Sequence, residues 1–218
     1  MPAFGTSAYL KLTSLNPKPQ RTELKKRLGP SDSPYDFHRS LHLHANRLLA
    51  KGEKIDDVLA SASRITKTPE RTSVQNGLMT LLNWRTDHPS ELFEVENSIY
   101  ISPHDVFKIK YSPDFGTFIN GKRCAIHLCN TKKPTLSERL TVGTLSMLKQ
   151  NYPSIDHLVV LSLLDSRLFW SVDDPRYVSM GQNVVLRIEE AILSVQDELR
   201  TATPKDRRTP PTPPHPPA

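Results

Sequence analysis

An Asn-Gly pair at 120–121, set between two alternating apolar stretches, constrains the fold of this chain more than any other feature. A two-residue connection that tolerates positive φ at both positions is the strongest short-range hairpin signal, so Phe115–Ile119 and residues 123–130 are expected to pair as antiparallel strands. The residues that follow demand a different kind of connection. Thr135-Leu136-Ser137-Glu138 has the spacing of a capping box and predicts a helix to about Gln150, where Asn151-Tyr152-Pro153 ends it. Residues 158–164 form a continuous apolar run, the pattern of a buried strand, and 167–172 predict one more strand. A hairpin, a crossover helix and a buried strand together imply an α/β fold: a mixed sheet flanked by helices, not a doubly wound one.

Upstream of Ser90 the apolar period is helical. Ser33 reads as an N-cap, with Pro34 at the first helical position and Asp36 completing a capping box. Phe37, Leu41, His44, Ala45, Leu48 and Leu49 follow at helical spacing, and Gly52 ends the segment. A second helix is expected over 55–65, burying Ile55, Val58, Leu59 and Ala62, and a third begins at Thr68-Pro69-Glu70 with Val74, Leu78, Leu81 and Leu82 on one face. After Ser90 the period becomes two, predicting strands at 92–95, 98–101 and 106–111 that run as a meander into the hairpin. Residues 184–199 predict an amphipathic closing helix. Four regions result: a flexible basic arm (1–32) with one short helical candidate at 21–28, a helical extension (33–68), a core (69–200) and a Pro-rich tail (201–218) whose composition predicts disorder.

Charge points toward an acidic partner. Lys and Arg outnumber Asp and Glu by 29 to 23, a formal net charge of +6, and a basic balance of this kind most often serves nucleic acid. No run of about 18 apolar residues exists to span a membrane, and the first fifteen residues lack the pattern of a secretory signal. Cys124 and Cys129 are five apart in one predicted strand, so they face opposite ways and cannot pair, which fits a reducing compartment and a cytoplasmic location.

The chemistry concentrates around the hairpin. Ser112-Pro113-Asp114-Phe115 leads into its first strand, and His127 and Cys129 lie two apart on its second. Over about 92–170 this layout resembles the core of PD-(D/E)XK nucleases, in which an acid before the hairpin and an acid-x-Lys pair on its second strand share one face, hold Mg²⁺ and position the attacking water. By that resemblance His127 stands where the second acid belongs and Cys129 where the lysine belongs. A narrower resemblance, over about 70–170, is to the TnsA-type transposase endonucleases, in which a helix carrying Ser-x-x-Glu supplies a further carboxylate. Here Ser73-Val74-Gln75-Asn76 puts Asn76 at that position.

The resemblance implies four active-site positions, Asn76, Asp114, His127 and Cys129, of which Asp114 alone keeps a family residue and a metal-binding group. It further implies a catalytically degenerate nuclease fold that acts as a DNA-binding or accessory subunit of a transposition or DNA-processing complex, with DNA and a transposase or AAA+ regulator as partners. Lys110, Lys122, Lys132, Lys133 and Arg139 are the expected phosphate contacts. No cofactor, membrane or small-molecule substrate is expected. Two alternatives stay open: an active Mg²⁺- or Mn²⁺-dependent endonuclease using Asp114, His127 and a displaced Lys132 or Lys133, and a protein-interaction scaffold without DNA affinity whose Pro-rich tail is the ligand. A zinc site at Cys124, His127 and Cys129 is disfavoured because Cys124 faces away. His38 and His42, one turn apart, read as a solvated or phosphate-facing pair, and Trp84 and Trp170 as core.

Overall fold

The computed structural model describes residues 1–29 and 39–201. Among them the elements run β1 (Ala3–Gly5), α1 (Thr6–Ser14), α2 (Pro17–Leu28), α3 (Arg39–Leu49), α4 (Ile55–Ala62), α5 (Thr68–Asp87), β2 (Leu92–Phe93), β3 (Ser98–Ile101), β4 (Lys108–Tyr111), β5 (Phe115–Ile119), β6 (Lys122–Cys129), α6 (Glu138–Leu148), β7 (His157–Ser162), β8 (Leu168–Trp170) and α7 (Pro175–Thr201). The class is the α/β fold expected. Five strands form a mixed sheet in the order β2-β5-β6-β7-β8, in which β5 and β6 are antiparallel, β6 and β7 parallel, and β8 antiparallel to β7. Asn120 and Gly121 both take positive φ, 51° and 75°, as a tight hairpin turn requires.

Period-two alternation in the central strands divides the interior into two layers. Cys124, Ile126 and Leu128 of β6, with Val159 and Leu161 of β7, pack against Leu41, Val58, Val74 and Leu78 of α3, α4 and α5. Ala125 and Cys129 of β6, with Leu158 and Val160 of β7, pack on the other side with α1, α6 and α7. The two cysteines therefore belong to different layers and are unpaired. Trp84 is buried in the first layer and Trp170 is half-buried against it.

The first 29 residues do not form an arm. β1 pairs in parallel with β4, and Phe4, Tyr9, Leu10, Leu12 and Leu24 are all at most 2% exposed. Gln20 is buried too, its side chain donating to the Leu12 carbonyl at 2.8 Å. Lys, Pro and Ser at the remaining positions mask a segment whose few apolar groups nearly all face inward. The expected meander is also divided. β3 and β4 join β1 in a separate three-stranded sheet, β1-β4-β3, while β2 alone joins the five-stranded one. Burial of Phe107, Ile109 and Tyr111 against α1 holds that second sheet over the α1 layer.

Two helix starts differ from expectation. Thr135 does not cap a helix: the first helical residue of α6 is Glu138, and the Ser137 N–H is bound by Ser14 Oγ of α1 at 3.2 Å while Leu136 inserts into the core. Tertiary partners have taken the groups that a local capping box would use. α7 begins nine residues before the expected 184, at Pro175, where Asp174 Oδ1 accepts the Arg176 N–H at 2.9 Å. An acidic cap followed by proline is a sequence-level start signal. The capping box at Ser33 and His38 lie outside the described residues, as do positions 202–218 of the Pro-rich tail.

Candidate functional site

Asp114 immediately precedes β5, and the hairpin register that pairs Phe115 with Ile126 brings it opposite His127. Its own N–H donates to the Ile126 carbonyl at 2.7 Å, fixing the backbone. Both oxygens of its carboxylate meet protein groups. Oδ1 lies 2.5 Å from His42 Nδ1 of α3, while Oδ2 accepts the Leu128 N–H at 2.7 Å and stands 3.4 Å from His127 Nδ1. Burial by itself would raise this carboxyl. Hydrogen bonds from His127 and His42, and the positive charge those rings can carry, outweigh burial and hold it well below the usual carboxylate range.

His127 is equally constrained. Nδ1 lies 3.1 Å from the Ser112 carbonyl, which can only accept, so Nδ1 carries a proton. In the neutral ring Nε2 is then the lone-pair nitrogen, and Ser7 Oγ lies 2.8 Å from it. Ser7 is in the first turn of α1, brought here because β1 docks on β4. The His42 and His127 rings stack with centroids 5.5 Å apart at 25°, and Tyr111 stands 6.3 Å from His127 on the other side. Tyr111 is fully buried, which pushes its hydroxyl far above its ordinary value.

The sequence-predicted positions fare differently. Asp114 and His127 come together. Cys129 shares the His127 face of β6 but is 2% exposed, and burial pushes its thiol up, so it is a packed thiol with no activated nucleophile character. Burial likewise pushes the Cys124 thiol up to about 11. Asn76 is not brought to the site. The α5 face that meets β6 carries Ser73 and Gly77, with Asn130 Nδ2 donating to both the carbonyl and Oγ of Ser73 at 2.9 Å, and Asn76 is turned to solvent. A Cβ at Gly77 would lie 3.1 Å from that same amide, so a side chain there would push Asn130 back by a few tenths of an ångström. The buried acid of α5 is Glu70, which is 4% exposed and accepts from Ser40 Oγ at 2.6 Å.

The basic residues do not share one surface. Lys132, Lys133 and Arg139 are exposed beyond the C-terminal end of β6, and Lys110 is exposed on β4 opposite Gly5. Lys122 stands at the hairpin end of β6, seven residues of extended strand or about 23 Å from Cys129.

A divalent cation at Asp114 would have to share its carboxylate oxygens with His42, the Leu128 N–H and His127. Among the described residues no group of three or more His, Cys, Asp or Glu side chains is disposed to hold a metal. His42, expected in a solvated or phosphate-facing pair, instead meets the Asp114 carboxylate, and Ser7 was not singled out by the sequence. Ser7 and His42 lie 120 and 72 residues from their partners, and no local pattern joins them.

No protein-family model matches the chain, and no curated protein matches it. A solved structure described as the crystal structure of SSO0001 is similar at 14% identity, covering 77% of this chain and 83% of that one, with a TM-score of 0.28. A likeness at that level bears on neither fold nor function. No helix among the described residues is long and apolar enough to cross a membrane.

Proposed function

We propose that the chain is a nuclease-fold protein of the PD-(D/E)XK kind, resembling the TnsA-type endonucleases, that has lost metal-dependent cleavage and serves as a cytoplasmic DNA-binding or accessory subunit of a DNA-processing complex. One observation carries the loss of cleavage: each oxygen of the Asp114 carboxylate is engaged by the protein, by His42 on one side and by Leu128 N–H and His127 on the other. A family residue remains, but its work is to hold two histidines and a strand end. The order of β5, β6, α6 and β7, with an antiparallel β8 after them, supports the kinship, because it is the layout the resemblance calls for.

The net charge of +6 and the exposed Lys132, Lys133 and Arg139 at one end of the sheet support DNA as the partner. Contacts of this kind meet phosphates and position a protein without reading sequence. Lys110 stands on β4 of the other sheet, and Lys122 is too far along β6 to join them. The test is a gel-shift titration of duplex DNA at several salt concentrations. Affinity is expected to fall as salt rises, and Lys132→Glu with Lys133→Glu is expected to weaken binding and flatten that dependence, while Lys122→Glu changes little. Absence of any shift at low salt would refute DNA binding and favour a protein-interaction scaffold.

A further inference from the structure

Ser7, His127 and Asp114 form a chain of hydrogen-bonding and charged groups that the loss of a metal site does not explain. Three features point beyond packing. The Ser112 carbonyl fixes the proton on Nδ1 of His127, so the neutral ring presents its lone pair to Ser7 Oγ at 2.8 Å. The Ser7 hydroxyl is therefore the donor in that bond, the relation required between a nucleophile and its general base. Asp114 Oδ2, 3.4 Å from Nδ1 and held by Leu128 N–H, supplies negative charge to the imidazolium that forms when Nε2 takes the proton. Ser7 is half-buried in the first turn of α1, where no side chain caps the helix. Nucleophile, base and orienting acid thus coincide at one place.

We propose that Ser7 is an activated serine nucleophile directed at phosphate esters. His127 is its general base and Asp114 a positioning residue. The electrophile is assigned from the local charge. One carboxylate is already matched by His42, and Lys110 is exposed on β4 across from Gly5, two residues before Ser7. These surroundings favour an anionic substrate. In the first step the Ser7 Oγ–P bond forms as the bond from phosphorus to the leaving oxygen breaks. The hydroxyl proton passes to His127 Nε2 and from there to the leaving alkoxide, giving an alcohol and phosphoserine. Water then attacks phosphorus, the same Nε2 takes its proton, and that proton returns to Ser7 Oγ as the phosphate leaves. No oxidant or further reactant is needed, and the inference does not depend on DNA binding.

The experiment uses the full chain with a fluorophosphonate probe, whose phosphorus loses fluoride to an activated serine. One adduct is expected, located by mass spectrometry in the peptide containing Ser7. It should be absent in Ser7→Ala and form at least about tenfold more slowly in His127→Gln. In Asp114→Asn the limiting labelling rate is expected to fall while the probe concentration at half-maximal rate stays unchanged, a split that general loosening of the fold would not give. Because His127→Gln removes a buried group, alkylation of the thiol in Ser7→Cys by iodoacetamide provides a second reading. Reaction at pH 6 should exceed by tenfold or more that of a thiol with the ordinary value of about 8.5. Bis(p-nitrophenyl) phosphate should release a burst of about one equivalent of p-nitrophenolate per chain, followed by steady turnover. No adduct at Ser7, an adduct whose rate ignores His127→Gln, or an ordinary thiol in Ser7→Cys would overturn the proposal and leave the Ser7–His127 bond as a staple for α1. Labelling without release from the phosphate diester would overturn the substrate class.

Discussion

Replacing Asp114 with alanine separates two accounts of this residue. A carboxylate kept for a metal ion sits in a site that repels it, so its removal leaves stability unchanged or improves it. In the structure Asp114 does the reverse, because it accepts from the buried Leu128 N–H and pairs with His42. Asp114→Ala leaves the Leu128 N–H without its acceptor, a loss of about 1–3 kcal/mol, and breaks the charge-assisted bond to His42, about 1.5–3 kcal/mol. His127 Nδ1 keeps the Ser112 carbonyl, so its share is small. The total is about 3–5 kcal/mol, which for a chain of this size lowers Tm by roughly 10 °C. Urea and thermal unfolding followed by far-ultraviolet circular dichroism at pH 7 measure it. The sign with pH follows from the depressed carboxyl. Its contribution is complete above the unfolded value of about 3.9 and disappears as pH falls from there through the folded value. The gap between wild type and variant should therefore persist at pH 5 and narrow below about pH 4. A variant within about 0.5 kcal/mol of wild type at pH 7 would refute the reasoning.

Three further outcomes follow from the packing. Leu10→Ala, in the segment whose composition suggests an arm, should cost about 2–5 kcal/mol by denaturant titration, because Leu10 is 0% exposed. Glu189, 2% exposed, accepts from both the backbone N–H and Nδ1 of His104 at 3.0 and 2.7 Å. Glu189→Ala should cost about 1–3 kcal/mol at pH 7, a difference that shrinks in acid because this carboxyl too is held low once its hydrogen bonds outweigh burial. A Cβ at Gly181 would lie 2.4 Å from the Gly143 carbonyl oxygen and 2.9 Å from Met147 Cβ, so Gly181→Ala should force α6 and α7 apart and cost about 1–3 kcal/mol in thermal unfolding.

The parts of the fold that could be read from sequence are those stabilised within a short window. Asn120-Gly121 carries its turn geometry in two residues, and the apolar runs of β6 and β7 announce burial without reference to partners. The pairing of Asp114 with His127 followed from that hairpin. β1 could not be read, because a three-residue strand is defined by β4, more than a hundred positions away. The start of α6 was misread for the converse reason: Thr135 and Glu138 have the right spacing, but Ser14 from α1 binds the Ser137 N–H. Ser7 and His42 reach the site only through such non-local docking. Asn76 illustrates the limit of motif spacing, since a one-position difference on a helix turns a side chain by about 100°. Ser73 and Gly77 meet the sheet and Asn76 does not.

Cleavage of supercoiled plasmid by the purified chain with Mg²⁺ or Mn²⁺, beside Asp114→Asn, tests the central claim most directly. Retention of supercoiled DNA in both samples, with the plasmid shifted at low salt, is the result predicted for a protein whose carboxylate is committed to His42, His127 and Leu128. Metal-dependent nicking that Asp114→Asn abolishes would contradict the account.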